Sequence, residues 1–88
     1  MIKTTVNISN KLGLHARASA KFTKLAGSYP CEVFMARGDR RVNAKSIMGV
    51  MMLAAECGAT LVLKAEGADA EAALDALAGI IANGFGEQ

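Results

Sequence analysis

The amino-terminal residues alternate apolar and polar side chains with the period of a β-strand. Ile2, Val6 and Ile8 fall on one face of an extended chain, and the lysine, threonine and asparagine between them fall on the other. Residues 60–66 repeat the pattern, with two leucines and an alanine on one face. These segments are predicted to be the first and last strands.

Two further strands are predicted on either side of a tight turn. Residues 32–37 and 40–43 flank Gly38 and Asp39, and a glycine–aspartate pair suits the central positions of a two-residue hairpin. Strands joined by so short a connection pair in antiparallel orientation. We therefore predict a β-hairpin in the middle of the chain.

Three other segments carry apolar residues at helical spacing. The first, 16–26, is followed by Gly27 as its predicted end. The last has an apolar stripe over 70–81 and is followed by Gly84, a residue type favoured just beyond a helix. Asp69 precedes this stripe, and a negative charge suits the start of a helix.

A short apolar segment, 47–53, is predicted to be the middle helix. Ser46 precedes it, and serine is favoured at the N-cap because its hydroxyl oxygen accepts a hydrogen bond from a terminal amide. A helix of about two turns cannot bury apolar residues on every side. Some of Ile47, Met48 and Met51 are therefore expected to be exposed, where methionine suits a surface that meets several partners.

The predicted element order is β-α-β-β-α-β-α, which determines the fold class. Helices with one apolar stripe bury it against one face of an antiparallel sheet. We predict an α+β fold, a two-layer open-faced sandwich in which three helices cover one face of a four-stranded antiparallel sheet. The 88 residues contain no repeat, linker or low-complexity tract, so residues 1–88 are predicted to form one domain.

Composition narrows the classes of function. The net charge of +2 is carried by scattered basic residues, which does not indicate a nucleic-acid partner. No apolar run approaches the roughly 20 residues of a membrane-spanning helix, and the amino terminus lacks the layout of a signal peptide. We therefore expect a cytoplasmic protein that binds neither nucleic acid nor a membrane.

The two cysteines, Cys31 and Cys57, lie far apart, with no CxxC pair and no neighbouring histidine. This spacing indicates neither a disulfide framework nor a zinc site. We expect both residues to be reduced, buried thiols, and we expect no metal and no cofactor.

The position of the one histidine suggests chemistry. His15 follows a Gly-Leu pair and directly precedes the first predicted helix, which places it at the N-cap. The amides of Ala16, Arg17 and Ala18 then carry the positive end of the helix dipole, an arrangement that binds phosphate. The Arg17 guanidinium can also bind phosphate oxygens through two N–H groups. Because a neutral imidazole is a nucleophile, His15 is predicted to accept and release a phosphoryl group.

A lone histidine beside an arginine is more often a surface residue that only caps a helix. The wider sequence is therefore needed to distinguish such a cap from a phosphoryl acceptor. Residues 13–19, Gly-Leu-His-Ala-Arg-Ala-Ser, closely resemble the active-site signature of the HPr family, the histidine-containing phosphocarriers of the bacterial phosphoenolpyruvate-dependent phosphotransferase system. Residues 43–53 resemble the second signature of that family, and the chain length and element order also agree.

One position departs from the family pattern, which usually has proline where this chain has Ala18. The first-turn amide has no partner within the helix, so both residues are tolerated there. The alanine version is similar to carriers of the nitrogen-related branch, called NPr, and to HPr proteins of some proteobacteria. The choice between sugar and nitrogen branches therefore stays open.

The resemblance implies a function for both signatures. His15 would accept the phosphoryl group on its pros nitrogen from phosphorylated Enzyme I and pass it to enzyme IIA domains, without turnover of its own. Ser46 would be a regulatory site for an HPr kinase/phosphorylase, and a phosphate there adds nearly two negative charges.

A docking surface for these partners is predicted around the middle helix. The family resemblance implies that the region of Ile47, Met48 and Met51 docks on Enzyme I and on enzyme IIA domains. Arg17, Lys24 and Lys45 are expected to supply a basic rim that steers the carrier toward acidic partner surfaces. The carrier itself is expected to be a monomer.

Two other functions are compatible with a fold of this class. A regulatory binding module that signals through Ser46 alone would not need His15 and Arg17. An RNA-binding domain could use the three arginines of the hairpin, but the four aromatic residues form no stacking pair on adjacent strands. The phosphocarrier is the interpretation that uses both signatures.

Overall fold

The computed structural model describes residues 1–53 and 55–86; Ala54, Glu87 and Gln88, which belong to the predicted domain 1–88, lie outside them. All seven predicted elements are present in the predicted order. They are β1 (Ile2–Asn7), α1 (Ala16–Gly27), β2 (Glu32–Arg37), β3 (Arg40–Asn43), α2 (Ile47–Met52), β4 (Thr60–Glu66) and α3 (Ala70–Ala82), followed by a short 3-10 helix (Gly84–Gly86).

The four strands form one antiparallel sheet in the order β1-β4-β2-β3. Arg37 pairs with Arg40 across the two-residue turn, and Gly38 has the left-handed backbone that this turn requires. Leu61 and Leu63 of β4 and Met35 of β2 point to the same buried face. The predicted α+β open-faced sandwich is confirmed.

The core lies between that face of the sheet and the three helices. The side chains that fill it come from every layer, and Phe22, Phe85, Ile8, Met35, Leu61, Leu63, Leu77 and Ile81 are the largest that are fully buried. Burying such side chains is the main favourable contribution to folding, at about 1.5–3 kcal/mol each. None of the helices that the structure describes is long and apolar enough to cross a membrane.

Some details differ from the sequence prediction. α1 extends one residue beyond the predicted range 16–26 and includes Gly27, and Ser28 is the C-cap, whose hydroxyl donates to the Leu25 carbonyl at 2.6 Å. The expectation of two buried thiols is wrong for Cys57. Cys31 is buried beneath the helices, whereas Cys57 lies in the turn before β4 and is exposed.

Candidate functional site

His15 is the N-cap of α1, as predicted. Its backbone is extended, with φ −75° and ψ 178°, and its half-buried side chain makes no capping hydrogen bond. The first helical bond runs from the Ser19 amide to the His15 carbonyl at 2.9 Å. The amides of Ala16, Arg17 and Ala18 precede that bond and have no acceptor within the helix, so they carry the positive end of its dipole.

The loop before His15 is held by short polar contacts. Gly13 has φ +66°, and a Cβ at this position would overlap the carbonyl oxygen of Ala55. The Leu14 amide donates to that same oxygen at 2.8 Å, and the Asn10 side-chain amide donates to the Gly13 carbonyl at 2.8 Å. The buried Ser19 hydroxyl donates to the Leu14 carbonyl at 3.1 Å. These contacts fix the backbone that presents His15, and only glycine fits at position 13.

The first turn of α1 is suited to an anion. Ala16 and Arg17 are exposed, whereas Ala18 is fully buried in the core, so its amide does not reach the surface. This turn contains no acidic residue. A phosphate at this position would meet the amides of Ala16 and Arg17 and the Arg17 cation without a competing carboxylate on the same turn.

Ser46 is the N-cap of α2, also as predicted. Its hydroxyl oxygen accepts a hydrogen bond from the Gly49 amide at 3.1 Å, and the residue is exposed. Gly49 lies within this helix, close to β3. A Cβ at this position would be 3.3 Å from both the Asn43 carbonyl oxygen and the Val42 Cβ of β3. The glycine therefore allows the short helix to lie close to the sheet.

An apolar surface covers the outer side of α2. Ile47, Met48 and Met51 are exposed, as the prediction required for some of them, and Met48 is 74% exposed. The sequence prediction omitted two members: Met52 of the same helix, and Leu12 in the loop before His15, which is 71% exposed. These five residues are called the α2 patch below. Leu12 was missed because a single leucine in a loop carries no periodic signal.

The α2 patch lies between the two N-caps because α1 and α2 run antiparallel. At one end the Leu14 amide binds the Ala55 carbonyl beyond α2, and at the other the Lys45 ammonium donates to the Tyr29 carbonyl beyond α1 at 2.8 Å. His15 is therefore near the carboxyl end of α2, and Ser46 is at its opposite end.

The two lysines proposed for a basic rim lie away from His15. Lys24 is exposed in the last turn of α1, nine residues from His15 and therefore about 13 Å along the axis. Lys45 is half-buried, and its ammonium is engaged by the Tyr29 carbonyl. The structure brings both lysines to the Ser46 end of the patch and leaves Arg17 as the cation beside His15.

An ion pair lies at the segment that contacts the loop before His15. Arg37 Nη2 lies 2.9 Å from one carboxylate oxygen of Glu56, and Arg37 Nη1 donates to the Leu53 carbonyl at 3.2 Å. A backbone hydrogen bond at Glu56, and then the hydrogen bond and charge of Arg37, lower the pKa of the Glu56 carboxyl below its ordinary value of 4.5. The residues lie 19 positions apart, so sequence periodicity gave no signal for their contact.

No group of three or more histidine, cysteine, aspartate or glutamate residues in 1–53 and 55–86 is arranged to hold a metal ion. The groups that follow His15 in the chain are instead the first amides of α1 and the Arg17 guanidinium. Their common ligand would be an anion with several oxygens, such as a phosphoryl group.

Comparison with known proteins gives the same family for the whole fold. A family model described as the PTS HPr component phosphorylation site matches residues 2–83. The phosphocarrier protein HPr of Cupriavidus necator is 58% identical over 87 residues, which cover 99% of this chain and 98% of that protein. The phosphocarrier protein NPr of Shewanella violacea is 40% identical over 86 residues, covering 98% and 94%.

A solved structure extends the likeness to three dimensions. HPr-C-His from Thermoanaerobacter tengcongensis superposes with a TM-score of 0.96 at 42% identity, covering 100% of this chain and 99% of the other. The superposed region covers every strand and helix described above. The chain belongs to the HPr family of phosphocarrier proteins of the phosphotransferase system.

Proposed function

We propose that this chain accepts a phosphoryl group on His15 from phosphorylated Enzyme I, which obtains it from phosphoenolpyruvate, and passes it to an enzyme IIA domain. The observation that carries the proposal is the N-cap of α1. There the imidazole makes no capping bond, and the exposed first residues of α1, Ala16 and Arg17, directly follow it. Nucleophile and anion site are therefore adjacent on one surface.

The transfer to His15 needs no group beyond the donor and the imidazole. The lone pair of the pros nitrogen, Nδ1, attacks phosphorus, a nitrogen–phosphorus bond forms, and the bond to the donor breaks with its electron pair leaving on the donor. The ring proton stays on Nε2. The amides of Ala16 and Arg17 and the Arg17 guanidinium bind the phosphoryl oxygens and stabilise their charge.

The same arrangement allows the group to leave. The phosphoramidate bond is labile, and the amides and Arg17 bind the oxygens without forming a covalent bond. An acceptor nucleophile on an enzyme IIA domain attacks phosphorus from the exposed side, and the electron pair returns to Nδ1. His15 is then regenerated, so the protein is a carrier between two partners and has no turnover of its own.

The α2 patch is proposed to be the docking surface for both partners. Five exposed apolar side chains between His15 and Ser46 offer a face that a partner can cover, and methionine adapts to more than one partner. Because Arg17 lies at its edge, an acidic partner surface is favoured. The proposal includes a monomeric carrier in the cytoplasm that needs no cofactor and binds neither nucleic acid nor a membrane.

Ser46 is proposed to be a regulatory phosphorylation site for an HPr kinase/phosphorylase. Its hydroxyl is exposed at the far end of the α2 patch, so a phosphate there would add negative charge to the docking surface. The helix dipole would tolerate that charge, so regulation would act on docking and not on folding. A module acting through Ser46 alone is the alternative, and it predicts no phosphate on His15.

The test is incubation of the chain with phosphoenolpyruvate and Enzyme I, followed by intact-mass measurement before and after mild acid treatment. We expect a mass increase of one phosphate that requires both components and is lost in acid, as a phosphohistidine is. An acid-stable phosphate on Ser46 alone, or no phosphate, would contradict the carrier function. Adding an enzyme IIA domain should then remove the label from the chain.

A further inference from the structure

Arg37 connects the sheet to the support of the His15 loop. It is the last residue of β2, where Arg40 of β3 is its backbone partner, and its side chain leaves the sheet toward the end of α2. There its guanidinium donates to the Leu53 carbonyl at 3.2 Å and to the two Glu56 carboxylate oxygens at 2.9 and 3.1 Å. One planar group thus holds a carbonyl and a carboxylate that lie three residues apart.

The backbone held by Arg37 is the one on which the His15 loop rests. The Ala55 carbonyl accepts the Leu14 amide at 2.8 Å, and a Cβ at Gly13 would come within 2.9 Å of the Glu56 Cα. No space separates the loop from this support, so movement of residues 55 and 56 must move Gly13 and Leu14. His15 is the next residue.

Glu56 also places a negative charge on the segment that supports this loop. Its side chain is 66% exposed, and a carboxyl whose pKa lies at or below the ordinary value of 4.5 is ionised at neutral pH. Arg37 balances that charge at 2.9 Å. Without Arg37, an uncompensated carboxylate would remain next to the segment that presents His15, where it would disfavour an arriving phosphoryl group.

We propose that Arg37 is a positioning residue for phosphoryl transfer at His15: it fixes the Leu53 and Glu56 support of the Gly13–Leu14 loop and balances the Glu56 charge. The inference rests on the proposed function of His15. Arg37 lies outside both signatures. Its contribution to positioning His15 comes in addition to that of the amides and Arg17, and it depends on the side-chain contacts between the end of β2 and the segment after α2.

The test compares Arg37→Ala with Arg40→Ala. Both variants lose one positive charge from the same hairpin, but only Arg37 contacts Leu53 and Glu56. With Arg37→Ala we expect the rate of transfer from phosphorylated Enzyme I to fall by about three- to tenfold at saturating donor, with an unchanged KM for phosphorylated Enzyme I. The reason is that the substitution displaces the nucleophile and leaves the docking surface in place. Arg40→Ala should match the parent.

Two further measurements separate positioning from general stability. Backbone amide NMR signals of Gly13, Leu14 and His15 should shift in Arg37→Ala and stay in place in Arg40→Ala. The double variant Arg37→Ala with Glu56→Gln should recover part of the lost rate, since no unbalanced carboxylate remains. Arg37→Gln, which keeps most of the aliphatic stem, repeats the test if Arg37→Ala does not fold.

The outcomes distinguish this inference from the proposed function. Equal rates in the parent, Arg37→Ala and Arg40→Ala, or an effect on KM alone, would overturn the role of Arg37 while His15 remained the phosphoryl acceptor. Failure of the parent itself to acquire an acid-labile phosphate would overturn the proposed function, whatever the NMR signals of the variants show.

Discussion

His15 and Ser46 hold the same position in two different helices, and their side chains are used in different ways. Both are N-caps with extended backbone. The Ser46 hydroxyl accepts the Gly49 amide and so stabilises a helix of six residues, whereas the His15 side chain makes no capping bond at a helix of twelve. A long helix packed on the core tolerates an incomplete cap, and its first amides are then available to the proposed phosphate site.

The first prediction separates the two caps by replacing each with alanine. His15→Ala should abolish phosphoenolpyruvate-dependent labelling and change the free energy of unfolding by at most about 1 kcal/mol, because no capping bond is lost. Ser46→Ala should keep the labelling and lose about 1 kcal/mol of stability through the Gly49 contact. Intact-mass labelling and urea unfolding of both variants check this.

The proposed difference between the two caps would be contradicted if His15→Ala kept the labelling or lost much stability. Acid-labile labelling that persists in His15→Ala would falsify the assignment of the phosphoryl acceptor. A large loss of stability in His15→Ala would instead show that the imidazole is needed for the fold.

The second prediction concerns the cation at the His15 cap. Arg17→Ala should slow transfer to and from His15 by about tenfold to a hundredfold without preventing phosphorylation, since one charge-assisted contact is lost and the backbone amides remain. Lys24→Ala is the matched control, because it removes one charge at the other end of α1. Rapid-quench experiments would measure the transfer rates of both variants. Equal rates would show that Arg17 acts only as a surface charge.

The third prediction adds a charge to the Ser46 cap. Ser46→Asp should keep the melting temperature, because an acid is tolerated at an N-cap, yet slow phosphorylation of His15 by several-fold at low salt, by a rough estimate for repulsion at an interface. Added salt should reduce the effect by screening. Rates unchanged at low salt, or a collapsed melting temperature, would contradict the proposed separation of docking from folding.

The smallest expected effect lies in the support of the His15 end. Because the pKa of the Glu56 carboxyl is lowered in the folded state, its ionised form stabilises the fold above 4.5 and this contribution is lost as the pH falls through the folded-state pKa. Glu56→Gln should therefore be slightly less stable than the parent at neutral pH and match it in acid. Urea unfolding across that range measures it, and a difference that grew in acid would have the wrong sign.

Much of the fold was predictable because each element carries its own signal. The alternation over 60–66, the Gly38 turn, and the serine before the short apolar helix are local patterns, and β2, β3 and β4 begin and end at the predicted residues. The His15 cap followed from the histidine preceding a helical pattern. These features depend on residues within a few positions of one another.

The remaining features depend on contacts between distant segments. The Arg37–Glu56 pair and the Lys45–Tyr29 contact join residues 19 and 16 positions apart, and no periodicity predicts them. The exposure of Cys57 was missed for the same reason, since the path of the turn before β4 is set by its packing on the His15 loop.

Asp69, predicted to favour the start of α3, is the N-cap of that helix. It has a left-handed backbone at φ 63° and makes no side-chain capping bond.

The unequal burial of the two thiols gives this chain one selective attachment point. Cys31 is sealed in the core, while Cys57 is exposed and directly follows Glu56 on the support of the His15 loop. A maleimide fluorophore should therefore label the native sequence at one position, without any substitution. Its emission or anisotropy would report a partner arriving at the His15 end in real time, without modification of His15 itself.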